Sequence, residues 1–237
     1  IEEFLEGREV SLLAFTDGKS IAPMVPACDY KRAEDNDKGP NTGGMGCYSP
    51  PGFFGPEMVD RAMREVLIPT LNALHAEGLD FRGVIYAGLM VNNGDIKVLE
   101  FNARFGDPET QIILPLLESD LAQVLVDCAD GRLDPSCIKW RPGCSVGVVL
   151  ASGGYPGAYD KGLPVSGLDR IGRDVNVFHA GTALRDGRVV TNGGRVMAVV
   201  ATGATMAEAR ERVYANVPLI SFRGMMYRSD IALRELN

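Results

Sequence analysis

The chain has 237 residues, 46% of them hydrophobic and 23% charged, and a net charge of −7 at pH 7. That length suits one large globular domain or two smaller ones. The acidic balance argues against a general nucleic-acid binder, and no apolar run approaches the roughly 20 residues that span a bilayer. The five cysteines (Cys28, Cys47, Cys128, Cys137 and Cys144) show no C-x-x-C spacing, so a reducing, cytoplasmic setting fits better than a disulfide framework or a structural zinc site. His75 and His179 lie far apart and form no metal motif.

In chain order, residues 9–16 read as a strand, Asp17-Gly18 as a hairpin turn and residues 20–25 as the returning segment. Residues 28–52, crowded with Gly, Pro, Asn and Asp, read as one long polar loop. Pro56 and Glu57 open a helix that Pro69 kinks or restarts and Gly78 ends. Residues 83–91 read as a buried strand, Asn93-Gly94 as a hairpin turn and residues 96–102 as its partner. Helical segments follow at 109–117 and 119–129. The texture changes near Asp134-Pro135. Beyond it, residues 144–151 and 197–201 read as strands, Asp186-Gly187 and Asn192-Gly193 as hairpin turns, and residues 206–217 as a helix.

Three segments carry chemistry. In Leu99-Glu100-Phe101-Asn102-Ala103-Arg104-Phe105-Gly106-Asp107-Pro108-Glu109-Thr110-Gln111, strand alternation puts Glu100 and Asn102 on one face and sends Leu99 and Phe101 to the other, toward a core. Two oxygen donors on one face at a strand end suit Mg²⁺ shared with a polyphosphate, and Arg104 at the same parity suits a transferring phosphoryl group. A strand with a solvated polar face accounts for the spacing equally well. The segment Gly39-Pro40-Asn41-Thr42-Gly43-Gly44-Met45-Gly46 can bring backbone N–H groups close to an anion, but by itself it also reads as a flexible loop. The opening Ile1 to Glu9, read alone, is an acidic connector entering a strand.

Together these segments, with Tyr48-Ser49-Pro50 and the closing Gly224-Met225-Met226-Tyr227-Arg228-Ser229-Asp230-Ile231, resemble the glycinamide ribonucleotide synthetase family along essentially the whole chain. The sequence departs from the family at Tyr30, where histidine is common, and at Cys47, where alanine is common. The resemblance implies an α+β fold: a partial ATP-grasp catalytic subdomain over residues 1–135, then a small α+β carboxy-terminal domain over 136–237. It implies that Glu2, Phe4 and Leu5 form the hinge against adenine and that Glu9 reaches the ribose. Glu100 and Asn102 would hold Mg²⁺ or Mn²⁺, and Arg104 would face the transferred phosphate. Asp29, Thr42, Gly43, Gly44, Met45, Gly46, Asp107, Pro108, Glu109 and Thr110 would line the sites for glycine and 5-phosphoribosylamine.

The implied reaction joins those two substrates at the expense of ATP, through glycyl phosphate, in a cytoplasmic enzyme with no nucleic-acid or membrane partner. The family also has an amino-terminal nucleotide-fold domain and a small ATP-grasp subdomain with a phosphate-binding lysine. Neither is seen before Ile1, so the missing domains of the same enzyme are the expected partners and the chain alone is expected to be inactive. Two other readings stay open at this point: another ATP-grasp ligase, such as a carboxylase of a purine intermediate, and a non-catalytic nucleotide-binding fragment.

Overall fold

The structure, a computed structural model, describes residues 3–236. The first strand, β1 (Arg8–Thr16), is buried from Val10 onward, and β2 (Ile21–Pro23) returns beside it. The intervening turn is fixed by Asp17, whose carboxylate accepts N–H bonds from Lys19 (2.9 Å), Ser20 (2.6 Å) and Leu133 (3.0 Å).

Residues 28–52 correct the expectation of a long loop. They contain β3 (Cys28–Asp29), β4 (Arg32–Glu34), β5 (Lys38–Asn41) and the fully buried β6 (Gly46–Ser49). The helix that follows runs as α1 (Pro56–Ala62), one wider turn over Met63–Leu67, and α2 (Ile68–Ala76). The wide turn lets Ile68 N–H reach the Met63 carbonyl just before Pro69, which has no N–H to give. It ends as expected at Gly78, where Gly78 N–H bonds the His75 carbonyl and Leu79 N–H the Leu74 carbonyl.

Next come β7 (Gly83–Asn92), β8 (Asp95–Asn102), α3 (Glu109–Ile113) and α4 (Leu121–Asp130). Asp120 caps α4 by accepting the N–H groups of Ala122 and Gln123. The chain then forms β9 (Cys144–Ala151), β10 (Val175–His179), β11 (Thr182–Arg185), β12 (Arg188–Thr191), β13 (Arg195–Gly203) and α5 (Met206–Asn216).

The residues group into two compact units, one comprising residues up to Cys28 with Pro50–Arg141, the other Asp29–Ser49 with the residues from Pro142 on. The division expected at 135/136 falls near the end of the first unit, and the glycine-rich segment groups with the second.

The first unit holds an antiparallel sheet in the order β2-β1-β7-β8. Val10, Leu12, Ala14, Ile85, Ala87 and Leu89 pack one face against Ala62, Met63, Val66, Leu67 and Leu71 of the helix. Each buried Val, Leu, Ile or Met among them contributes about 1.5–3 kcal/mol, and the alanines less.

Leu99 and Phe101 correct the alternation argument, because they are 40% and 46% exposed rather than in the core. Gly88 opposes Glu100 and Leu89 opposes Val98, so Leu99 is the extra residue of a bulge. Since β8 is the sheet edge among the described residues, Phe101 lines only a shallow cavity of about 250 Å³ with Thr70, Leu74, Phe81 and Ile85.

The second unit is built on a five-stranded sheet, β10-β13-β9-β6-β3, with α5 burying Ala209 and Val213. Asp186-Gly187 makes the β11–β12 hairpin as expected. Asn192-Gly193 does not make one: β12 pairs with β11, whereas β13 joins the larger sheet. Gly193 instead permits a close backbone crossing, since a Cβ there would lie 2.8 Å from the Gly181 Cα.

Arg228, 1% exposed, ties the carboxy-terminal segment to residues 30–37. It pairs with Asp230 (2.6 Å) and Asp37 (2.9 Å), and its guanidinium lies 4.6 Å from the Tyr30 ring centroid. Burial works against the charged forms of Arg228 and Asp230. The hydrogen bonds and charges between them outweigh it, leaving the arginine pKa raised and the Asp230 pKa lowered. A lowered carboxylate pKa stabilises the fold above the ordinary value, about 3.9, and that contribution is lost as pH falls through the folded value. Asp230→Asn is therefore expected to cost about 3 kcal/mol at pH 7, the low end for stranding one member of a buried pair, because Asp37 remains. Urea unfolding at pH 7 and pH 3 checks this, with the gap from the unsubstituted chain shrinking at the lower pH.

Candidate functional site

Residues directly opposite on neighbouring antiparallel strands share a face. The registers of β1, β7 and β8 therefore set three rungs on the face turned away from α1 and α2: Glu9–Met90–Lys97, Ser11–Gly88–Glu100 and Leu13–Tyr86–Asn102. The outer rungs are four residues apart along β7, roughly 13 Å.

At the first rung a half-open cleft of about 330 Å³ is lined by Phe4 and Leu5 together with Met90, Asn92 and Lys97. Lys97 reaches Glu3 at 2.6 Å across it. The expected hinge residues Phe4 and Leu5 thus meet a cavity, Phe4 with its ring 86% exposed. Glu2 lies outside the described residues. Glu9 is exposed on the same face of β1.

At the far end Glu100, Asn102 and Arg104 form a connected row. Asn102 Nδ2 donates to Glu100 Oε1 (3.2 Å), and Arg104 Nη2 donates to Asn102 Oδ1 (3.3 Å). Arg104 Nη1 also donates to the Phe105 carbonyl (2.9 Å). Glu100 and Arg104 are exposed and Asn102 half-buried, so their polar ends are open to a ligand. Gly88, beneath Glu100, leaves room for that side chain: a Cβ there would lie 3.2 Å from Glu100 Cγ.

A carboxylate and an amide oxygen with no thiolate or imidazole fit a hard divalent cation that takes its remaining ligands from phosphate and water. No group of three or more His, Cys, Asp or Glu that could hold a metal occurs among the described residues.

After β8 the chain turns through residues 103–108. Asp107 is exposed, Thr110 half-buried, and Pro108 and Glu109 buried. Glu109 turns inward: its Oε1 accepts from Tyr86 Oη (2.5 Å) and Ser11 Oγ (3.1 Å). Neither Ser11 nor Tyr86 stood out in the sequence. A serine inside the otherwise apolar run of β1 was the available signal for the first.

In the second unit the glycine-rich segment is held rather than loose. Thr42 Oγ1 donates to the Lys31 carbonyl (2.9 Å) and accepts from Gly44 N–H (3.0 Å). Gly43 N–H donates to Tyr155 Oη (3.0 Å), and Arg195 Nη1 donates to the Gly43 carbonyl (2.6 Å). Gly44, Met45 and Gly46 are buried, and Asp29 is half-buried on β3. A Cβ on Gly46 would fall 2.7 Å from the Gly147 carbonyl oxygen, so glycine is required where β6 joins β9. Tyr155 and Arg195 are further residues the sequence did not flag.

Residues 1–110 match a family model described as the phosphoribosylglycinamide synthetase ATP-grasp (A) domain, and residues 145–234 match that family's C domain. A phosphoribosylamine–glycine ligase of Synechocystis sp. is 50% identical over 239 residues, covering all of this chain and 57% of the relative. The trifunctional purine biosynthetic protein adenosine-3 of Gallus gallus is 50% identical over 238 residues, again covering all of this chain and 24% of that protein. The crystal structure of a phosphoribosylamine–glycine ligase from Thermotoga maritima superposes with a TM-score of 0.87 at 38% identity, over 97% of this chain and 56% of that one. The biotin carboxylase subunit of pyruvate carboxylase shares the fold at a TM-score of 0.66 and 15% identity.

The first unit's antiparallel sheet and the α+β unit that follows it in sequence belong to an ATP-grasp A domain followed by a C domain. The chain belongs to the phosphoribosylglycinamide synthetase family. It spans about half the length of the curated phosphoribosylamine–glycine ligases it matches.

Proposed function

We propose that the chain supplies the nucleotide and metal face of a cytoplasmic ligase that joins glycine to 5-phosphoribosylamine with ATP. The observation that carries this reading is the order along one sheet face in a chain of this family: hinge cleft, Glu9, then Glu100, Asn102 and Arg104. ATP would place its base in the cleft lined by Phe4 and Leu5, with Glu2 beside them, and its ribose hydroxyls by Glu9. Its phosphates would then run toward Glu100. Mg²⁺ or Mn²⁺ held by Glu100 and Asn102 would neutralise charge on the phosphate oxygens when bound.

Arg104 would stabilise the charge that builds on the transferring phosphoryl group. A glycine carboxylate oxygen attacks the γ-phosphorus, the bond to the ADP oxygen breaks, and glycyl phosphate forms. The amine of phosphoribosylamine attacks its carbonyl carbon, the C–O bond to phosphate breaks, and the amine loses a proton. By the resemblance, Asp29, Thr42, Gly43, Gly44, Met45 and Gly46 of the second unit, and Asp107, Pro108 and Thr110 of the first, would serve binding of the two substrates. Positioning them supplies much of the remaining acceleration.

The test follows an atom. With glycine labelled by ¹⁸O in its carboxylate, each turnover of the active enzyme is expected to leave one ¹⁸O in the released phosphate. Unlabelled phosphate would exclude the acyl phosphate. Turnover with a different carboxylate in place of glycine would favour another ATP-grasp ligase.

A further inference from the structure

We infer that Ser11, Tyr86 and Glu109 form a buried brace that positions Arg104 and the Glu100–Asn102 pair, so that Glu109 serves the site from behind instead of touching substrate. This rests on the ligase reading above. The three oxygens close a triangle: Ser11 Oγ to Tyr86 Oη 2.7 Å, Tyr86 Oη to Glu109 Oε1 2.5 Å, and Ser11 Oγ to Glu109 Oε1 3.1 Å.

Glu109 is 3% exposed, and no cation pairs with it among the described residues. A buried carboxylate without a cation is a costly way to fill space that a leucine would fill better. Hydrogen bonds from both hydroxyls to Oε1 hold the carboxylate in one geometry in return. The short helix α3 offers little other reason for an acidic residue there, since a five-residue helix has a weak dipole.

What the brace fixes is the turn after β8. Tyr86 is the cross-strand partner of Asn102, and Ser11 and Glu100 both face Gly88. The turn closes on itself through Thr110 Oγ1 to the Gly106 carbonyl (2.5 Å) and Gln111 Nε2 to Asp107 Oδ1 (3.1 Å). It packs directly on the brace: a Cβ on Gly106 would lie 2.4 Å from Glu109 Oε2 and 2.9 Å from Tyr86 Cε1, so only glycine fits there. Arg104 is fastened to both parts, to Asn102 on the strand and to the Phe105 carbonyl in the turn. Loosening the turn therefore moves the guanidinium relative to Glu100 and Asn102.

Two measurements test this. The first uses the chain extended to the length of its relatives with the part of the Synechocystis ligase it does not match. Tyr86→Phe keeps the ring and removes the hydroxyl. It is expected to lower kcat about 10- to 100-fold, the scale of a misplacement near 1 Å, with KM for ATP and glycine changed less than about twofold on that same argument. Ser11→Thr, which keeps a hydroxyl, is expected to retain most of the activity that Ser11→Ala loses. The second uses the chain as it stands: amide exchange of residues 104–110 is expected to quicken in Tyr86→Phe. Unchanged kcat in a form whose unsubstituted parent turns over, or a raised KM for glycine at constant kcat, would overturn the brace. With a parent that shows no ligase turnover, the exchange result decides the brace by itself.

Discussion

Glu100→Gln is expected to lower Mg-dependent turnover about 100- to 1000-fold, the scale of removing one preorganised electrostatic contact such as an oxyanion-hole donor. Glutamine keeps the shape and one oxygen, and the contact from Asn102 Nδ2 to that oxygen can persist. What it removes is the only formal negative charge in the row Glu100–Asn102–Arg104. Without it Arg104 stands uncompensated beside two neutral amides, and a divalent cation loses its one carboxylate from this strand. Asn102→Asp keeps an oxygen donor and adds a charge, so its loss is expected to be smaller. The measurement is steady-state amide formation across a Mg²⁺ titration in the chain extended to its relatives' length. A loss that excess Mg²⁺ fully rescues would mean Glu100 sets metal affinity alone. Unchanged turnover at low Mg²⁺ would remove Glu100 from the site.

Local signals were legible where the residues themselves impose a backbone conformation. Asn93-Gly94 and Asp186-Gly187 adopt positive φ at both positions and make their hairpins. Asn192-Gly193 carries the same signal, but the strand after it is drawn into another sheet, a choice made by pairing with β9 that no local pattern encodes. The strands within 28–52 were hidden for a related reason. Gly46–Ser49 is poor in strand-forming residues and is held by Cys144–Ala151, about a hundred positions away.

The side-by-side placement of Glu100 and Asn102 followed from alternation. The fate of Leu99 and Phe101 did not, because a bulge and a sheet edge both break the rule that the opposite parity goes to the core. Roles were legible only through the resemblance. Spacing alone could not choose between a metal pair and a solvated strand face, and it gave no hint that Glu109 would turn inward onto Ser11 and Tyr86.

Residues 1–237 by themselves are expected to form glycinamide ribonucleotide at least about 100- to 1000-fold more slowly than a form as long as the relatives. The chain spans 57% of the Synechocystis ligase, and the face proposed for ATP is open. Phe4 is 86% exposed at the hinge cleft, and Glu100 and Arg104 are exposed at the phosphate end. An open face leaves each charge facing water, where Coulomb attraction at 4 Å falls to about 1 kcal/mol, and it exposes an acyl phosphate to hydrolysis. Of the lysines in the first unit, Lys97 sits at the hinge cleft paired with Glu3, away from the phosphate end. Lys31 and Lys38, the lysines near the glycine-rich segment, group with the second unit. Arg104 is thus the cation within the row itself, and one cation leaves a triphosphate largely unneutralised. The assay is amide formation by the chain alone with Mg-ATP, glycine and phosphoribosylamine, beside the extended form. ATP consumed only with glycine present, without amide and with glycine ¹⁸O appearing in the phosphate, would show that the acyl phosphate forms and is lost to water. Amide formed at the extended form's rate would mean that the whole phosphate site is built from residues of this chain.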